Sequence, residues 1–318
     1  MGSTLLRILV SLAFLCLFAW SFRGNYAGVA AALGGTDGAA LAAGFCLALT
    51  AGVLTAWRLC LVFKAQGLTL PFKEAVQLTF IGLFFNNFLP SAVGGDLVKA
   101  YCASLQTGKR MESFSACLMD RILGLFMFIL IPSIAVLFLL KELDPMVPKM
   151  VVAALLAACA GLWVIFNKEH IARLSFFIRP FKKIPGYSQV HGLYHAMHEI
   201  TRDKWLVIRI CAASAAAQLL GIFAVGWIIH ALSATVALRQ LVIRTPLVHL
   251  FGMLPSFGGL GLREQGFQYF YKPLIGQENA GALAILYLFY LIVLSAIGGI
   301  VYLVRQDYHF NFKNLRAA

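Results

Sequence analysis

Long apolar runs alternate with short polar breaks along the chain, and the runs fall into two length classes. A helix needs about 20 apolar residues to cross a hydrocarbon core roughly 30 Å thick. Runs at 4–22, 39–63, 115–140, 149–166, 205–232 and 280–304 satisfy that requirement and predict six full spans, the third kinked at Pro132. Two others, 74–88 and 240–254, stop after about 15 residues, or about 22 Å of helix, where Pro and Gly break them. The helical pattern resumes at 96–106 and 262–271 with charges in the first turn. Each short pair therefore predicts a re-entrant helical hairpin whose tip lies within the membrane.

Composition decides the solvent. With 61% hydrophobic and 12% charged residues in 318, the chain has more apolar surface than a soluble core of this size can hide. Unsatisfied backbone groups are excluded from hydrocarbon, so the spans are helices or a closed barrel, and the runs lack the period-2 alternation of barrel strands. The run after Arg7, ending at Trp20, has no small-residue cleavage site behind it and reads as the first span rather than a removable signal. Seven scattered cysteines, odd in number and without a C-x-x-C pair, read as small buried hydrophobes.

Charge sets the orientation. The formal net charge of +13 comes mainly from Lys and Arg placed between apolar runs, which points to cytoplasmic flanks on anionic lipid and away from nucleic acid. The longest polar segment, 167–204, carries Lys168, Arg173, Arg179, Lys182, Lys183, Arg202 and Lys204 and is assigned to the cytoplasm. Counting spans from it places both termini and the Lys64/Lys73 and Lys109/Arg110 connections inside, provided that the first broken segment is re-entrant. The hairpins then enter from opposite sides, which makes 39–140 and 205–304 an inverted repeat within a single domain, 1–318, with 167–204 as an amphipathic cytoplasmic loop. The letters repeat too: Leu89-Pro90-Ser91 precedes Gly94-Gly95-Asp96, and Leu254-Pro255-Ser256 precedes Gly258-Gly259 and Gly261.

Interrupted apolar segments at matching places in two halves are the best pointer to a transporter's binding site. A helix restarting at membrane depth offers unpaired N–H groups and the positive end of its dipole to an anion. Gly94, Gly95, Gly258, Gly259 and Gly261 let backbone approach a ligand, or serve close helix packing instead. Pro90 and Pro255 mark the breaks. Asp96, Lys99, Arg263 and Glu264 follow them, and Arg58, Asp120 and Arg121 lie near the ends of spans, where ionisable groups are costly and usually functional. The alternatives are snorkelling for the cations and helix capping for Asp96. Asn86 and Asn87 offer amides just before the first break, either to a ligand or to the helix end.

Elsewhere the polar signals are weaker. His191, His195 and His198 beside Glu199 share a helical face, but the segment reads as an amphipathic surface helix rather than a metal site, as does 171–183. Gly108-Lys109 lacks the earlier Gly and the following Ser or Thr of a phosphate-binding loop, so no ATP site and no cofactor are expected.

The motifs Asn86-Asn87-Phe88-Leu89-Pro90, Gly94-Gly95-Asp96 with Lys99, Asp120-Arg121, and Pro255 to Glu264 as PSFGGLGLRE, with Trp57-Arg58 upstream, resemble the lysylphosphatidylglycerol synthase membrane-region family of flippase-like proteins. The resemblance implies a bacterial inner-membrane protein of about eight membrane segments, two of them re-entrant, that moves lipid between leaflets. Asp120 stands where that family commonly has Glu, and Lys99 where it commonly has Arg, so charge is kept but a bidentate guanidinium is not. No soluble aminoacyltransferase domain accompanies these residues, so transport of a phospholipid or polyprenyl-phosphate lipid is expected rather than synthesis. Two readings stay open beside it: a transferase on a lipid-linked substrate with Asp96 or Glu264 as base, and an accessory lipid-binding subunit. A second copy of the chain or a lipid-modifying enzyme would be its protein partner.

Overall fold

The computed structural model describes residues 26–89, 94–137, 203–253 and 258–305, Tyr308, and helical parts of 12–20 and 149–160. The expected spans 4–22 and 149–166 fall largely outside the described residues, and the 167–204 loop with its three histidines almost wholly so. Helices are the only regular structure among the described residues: α1 (Tyr26–Gly34), α2 (Gly38–Ala65), α3 (Phe72–Phe88), α4 (Gly94–Thr107), α5 (Arg110–Leu137), α6 (Lys204–Ala231), α7 (Leu238–Gly252) and α8 (Leu262–Val304). Four of them, α2, α5, α6 and α8, are long and apolar enough to cross a membrane.

The sequence accounts for these boundaries. Asp37 caps α2 by accepting a hydrogen bond from the Ala39 N–H at 2.9 Å, and Asp203 caps α6 through the Trp205 and Leu206 N–H groups at 3.0 and 3.1 Å. Gly67 and Gly108, with φ of 68° and 69°, follow the ends of α2 and α4, where a left-handed residue stops a helix. Three details depart from the sequence expectation. The nine-residue α1, too short to register as a span, was not foreseen. Helix α5 begins at Arg110, five residues before the apolar run at 115, and continues through Pro132. The restarted segment at 262–271 and the span at 280–304 lie in two helices, together α8, that abut at Gly276, where a non-helical φ of 82° and ψ of 166° break the helix without an intervening loop. Among the cysteines only Cys102 and Cys117 are fully buried, whereas Cys16, Cys46 and Cys159 are exposed, so the expectation of seven buried thiols is corrected.

Helices α3, α4 and α7 hold 17, 14 and 15 residues, about 25, 21 and 22 Å, all short of the bilayer core. They form two hairpins. In the first, Gly82 lies against Lys99 and Asn86 against Gly95, so α3 and α4 run antiparallel. In the second, Gly252 lies against Arg263, Val248 against Gly266 and Thr245 against Tyr271, so α7 and the first part of α8 do the same.

The order long, short, short, long thus occurs twice, with starts at 38, 72, 94 and 110 and again at 204, 238 and 262, the last long helix following the Gly276 break. The two leading helices pack antiparallel: the Asp37 N–H reaches the Ala231 carbonyl at 2.9 Å, while Arg58 lies beside Ser214. The two tips meet, since a Cβ on Gly258 would lie 2.6 Å from the Asn87 carbonyl oxygen. Sequence alone left that meeting open.

Two apolar clusters hold the halves. One gathers Phe63, Leu78, Ile81 and Met119 of α2 to α5, the other Ile228, Phe267, Tyr271 and Tyr290 of α6 to α8. They are joined where α8 crosses α3: a Cβ on Gly298 would collide with the Phe80 carbonyl, and one on Gly299 would lie 2.8 Å from the Phe84 ring. Gly298→Leu is expected to cost at least about 1–3 kcal/mol, seen as a lower unfolding temperature of the detergent-solubilised protein. Gly221→Ala, where an added Cβ meets nothing within 4 Å, should leave it unchanged or raised.

Candidate functional site

Between the two hairpins and the long helices lies a cavity of about 430 Å³. Most of its wall is small or apolar, with Gly52, Gly82, Gly124, Gly221 and Gly252 keeping it open and Phe80 and Phe128 lining it. Into this wall project Arg58 from α2, Asp96 and Lys99 from α4, Asp120 and Arg121 from α5, and Arg263 from α8, with Asn86 at the end of α3. The sequence reading picked all seven, and the fold brings them to one place.

Five of these charges form a chain of alternating sign. Arg58 Nε donates to Asp120 Oδ1 at 2.7 Å and Lys99 Nζ to Asp120 Oδ2 at 3.0 Å. Lys99 also lies 3.4 Å from Asp96 Oδ1, and Arg121 Nη1 donates to Asp96 Oδ2 at 2.5 Å. Asp120 and Lys99 are only 2% and 5% exposed. Burying such groups singly costs several kcal/mol each, and only mutual pairing makes the burial tolerable. Gly124 makes room for the arrangement, because a Cβ there would lie 3.0 Å from Arg58 Nη1. Lys99 is therefore held between two carboxylates and is not free to snorkel. Asp96 pairs with cations and makes no capping hydrogen bond to α4 among the described residues.

Capping falls to other residues. Asn86 Oδ1 accepts from the Gly95 N–H at 3.0 Å, and Glu264 Oε2 accepts from the Gly261 N–H at 2.6 Å. Asn87 Nδ2 donates to Ser295 Oγ at 2.5 Å and ties the first tip to α8. Of the glycines named at the tips, none lines the cavity. A Cβ on Gly95 would lie 2.6 Å from the Asn86 backbone N, and one on Gly259 2.6 Å from the Gly252 carbonyl oxygen. Gly258, Gly259 and Gly261 also have φ of 60°, 80° and 82°, so their geometry serves the turn and close packing. Gly94 is buried at the start of α4. Pro90 and Pro255 lie outside the described residues.

On the opposite wall Arg263 is differently placed. It is 9% exposed, its Nε makes no hydrogen bond among the described residues, and its nearest carboxylate oxygen, Glu264 Oε1, is 3.7 Å away. Gly252 leaves space for its stem, and the guanidinium lies 5.9 Å from the centre of the Tyr287 ring. Counting the described residues, four cations and two carboxylates line the cavity, and with Glu264 3.7 Å behind Arg263 the positive charge exceeds the negative by one.

Two lining residues with an unpartnered nitrogen, Gln218 and His249, have no signal in the sequence motifs. Gln218 is 8% exposed with Nε2 unpartnered among the described residues. His249 Nε2 lies 2.6 Å from the Tyr287 hydroxyl, and its Nδ1 has no partner among the described residues. Each stands alone within an apolar helix, outside any motif. The signal available was the cost of a solitary polar group at membrane depth.

These features define a class: an integral membrane protein, all-helical in its described residues, whose long apolar helices and paired short hairpins enclose a positively charged cavity. The chain belongs to the family described as the lysylphosphatidylglycerol synthase TM region, whose model matches residues 4–299. Comparison with curated proteins finds none that matches.

Proposed function

We propose that this chain translocates a lipid with an anionic, phosphate-bearing headgroup between leaflets, the headgroup passing through the cavity while the acyl chains stay in the bilayer. The observation that carries the reading is the cavity's excess of cations, enclosed by helices too apolar to face water. A phosphate entering it gains charge-assisted hydrogen bonds from Arg263 and offsets the positive charge that Asp96, Asp120 and Glu264 leave uncompensated. The family's lipid-related membrane role agrees with this.

In the same reading the hairpins are re-entrant, 39–140 and 205–304 form an inverted repeat, and six full spans place both termini on the cytoplasmic side of an inner membrane. Rocking of one repeat against the other about the meeting tips exposes the cavity to each leaflet in turn. Glu264 and Asp96, the carboxylates a transferase would need as a base, are engaged by the Gly261 N–H and by Arg121. That engagement favours transport over catalysis.

Filling the cavity is the test. Gly221 lines it with open space beside its Cα, so Gly221→Trp is expected to fold and to slow leaflet exchange of a fluorescent phosphatidylglycerol in reconstituted vesicles by at least about tenfold. Exchange at the wild-type rate would show that the headgroup takes another route.

A further inference from the structure

A second cavity, of about 450 Å³, shares no lining residue with the first. Its wall is Lys64 from the end of α2 and Asp203, Trp205, Leu206 and Arg209 from the start of α6. The antiparallel packing of α2 on α6 brings these residues together. Each helix has 28 residues, about 42 Å, so their ends overrun a hydrocarbon core of roughly 30 Å and stand among the lipid headgroups.

The lining chemistry fits that depth. Trp205 is 72% exposed, an aromatic of the kind that settles at a membrane interface, and Ile208 on the same helix is 54% exposed. Trp205 and Arg209, four residues apart, share one face of α6. Lys64 and Arg209 are both exposed, and neither makes an ion pair among the described residues. Asp203 is the one carboxylate in the wall, and its Oδ1 already accepts from the Trp205 and Leu206 N–H groups. Those backbone donors are therefore engaged, and an anion in this cavity is held by the two side-chain cations, which exceed the carboxylate by one.

We propose that this cavity holds the phosphate of an anionic lipid from the adjoining leaflet as a fixed ligand that is not transported. A lipid is the occupant because the cations stand at headgroup depth beside exposed Trp205 and Ile208, and positive charge at that depth attracts anionic headgroups. Lys64 belongs to the first half of the chain and Arg209 to the second. One headgroup therefore bridges the two leading helices at the end opposite the Asp37–Ala231 contact. The site is independent of the translocation reading, since it uses neither that cavity nor its residues.

The purified full chain in detergent is titrated with dioleoyl phosphatidylglycerol, bound lipid is counted by native mass spectrometry, and the unfolding temperature is recorded beside it. Lys64→Gln and Arg209→Gln are each expected to weaken retention of one lipid about fivefold, and together about thirtyfold. The double variant should also lose the rise in unfolding temperature that the lipid gives the wild type. Asp203→Asn keeps a capping side chain and removes the one negative charge, so it should strengthen retention about two- to fivefold, a gain that misfolding does not produce. Retention unchanged in the double variant overturns the site, and complete displacement of the lipid by excess inorganic phosphate overturns its assignment to a lipid. Arg263→Gln should leave this lipid bound. Its loss there would put the lipid in the first cavity, overturning the proposal and leaving the translocation reading intact.

Discussion

Asp120→Asn is expected to lower the stability of the protein by about 3–5 kcal/mol, the largest effect of any single change in the cavity wall. The substitution keeps the shape and removes the charge. Arg58 and Lys99, 2.7 and 3.0 Å from the two carboxylate oxygens, would then share a neutral amide at a position 2% exposed. Lys99 would retain only Asp96, at 3.4 Å, which Arg121 already engages. The loss is therefore the cost of buried charges left unpaired rather than that of one hydrogen bond. Asp120→Glu keeps the charge and is expected to keep most of the stability. Thermal unfolding of the three proteins in the same detergent checks the ordering; an Asp120→Asn protein as stable as wild type would mean that the five charges are not coupled.

Arg263→Gln should act in the opposite manner, with little change in stability and a large change in activity. Its Nε makes no hydrogen bond among the described residues and Glu264 Oε1 is 3.7 Å away, so removing the charge breaks no tight pair. Glu264 retains its bond to the Gly261 N–H, which anchors the start of α8. A headgroup phosphate, by contrast, would lose a charge-assisted hydrogen bond worth about 1.5–3 kcal/mol, which corresponds to a slowing of exchange of about 10- to 150-fold. Arg263→Lys should fall between the two, since it keeps the charge but not the planar fork. Exchange rates measured beside unfolding temperatures separate this outcome from simple loss of fold.

Much of the architecture is legible in the residues. The two apolar runs that stop short at Leu89-Pro90 and Leu254-Pro255 are the hairpins' first arms, and the structure starts and ends α3 and α7 within two residues of the sequence bounds. Proline and glycine make such breaks locally determined, so a one-dimensional reading finds them. The close junction inside α8 is not legible, because Pro273 and Gly276 look like a loop in letters, whereas the two helices meet at the single non-helical residue Gly276.

The charged residues were legible as a group because an ionisable side chain in an apolar run is costly wherever it points. Their pairing was not, since Arg58 and Asp120 are 62 positions apart and meet only through the antiparallel packing of α2 on α5. In sequence the tip glycines suit ligand-approaching backbone or packing, and their geometry favours packing against Asn86, Asn87 and Gly252. Gln218 and His249 are not legible for the converse reason: uncharged and solitary, they acquire meaning only from facing the same cavity as Arg263.

The central claim is that the chain itself carries headgroups across a bilayer. It is tested most directly by reconstituting the purified protein in vesicles with fluorescent phosphatidylglycerol in both leaflets and adding a membrane-impermeant quencher. If the claim holds, the quenched fraction rises beyond the outer-leaflet share seen in empty vesicles, and falls back to that share with Arg263→Gln. A quenched fraction that stays at the empty-vesicle level with folded wild-type protein would contradict it.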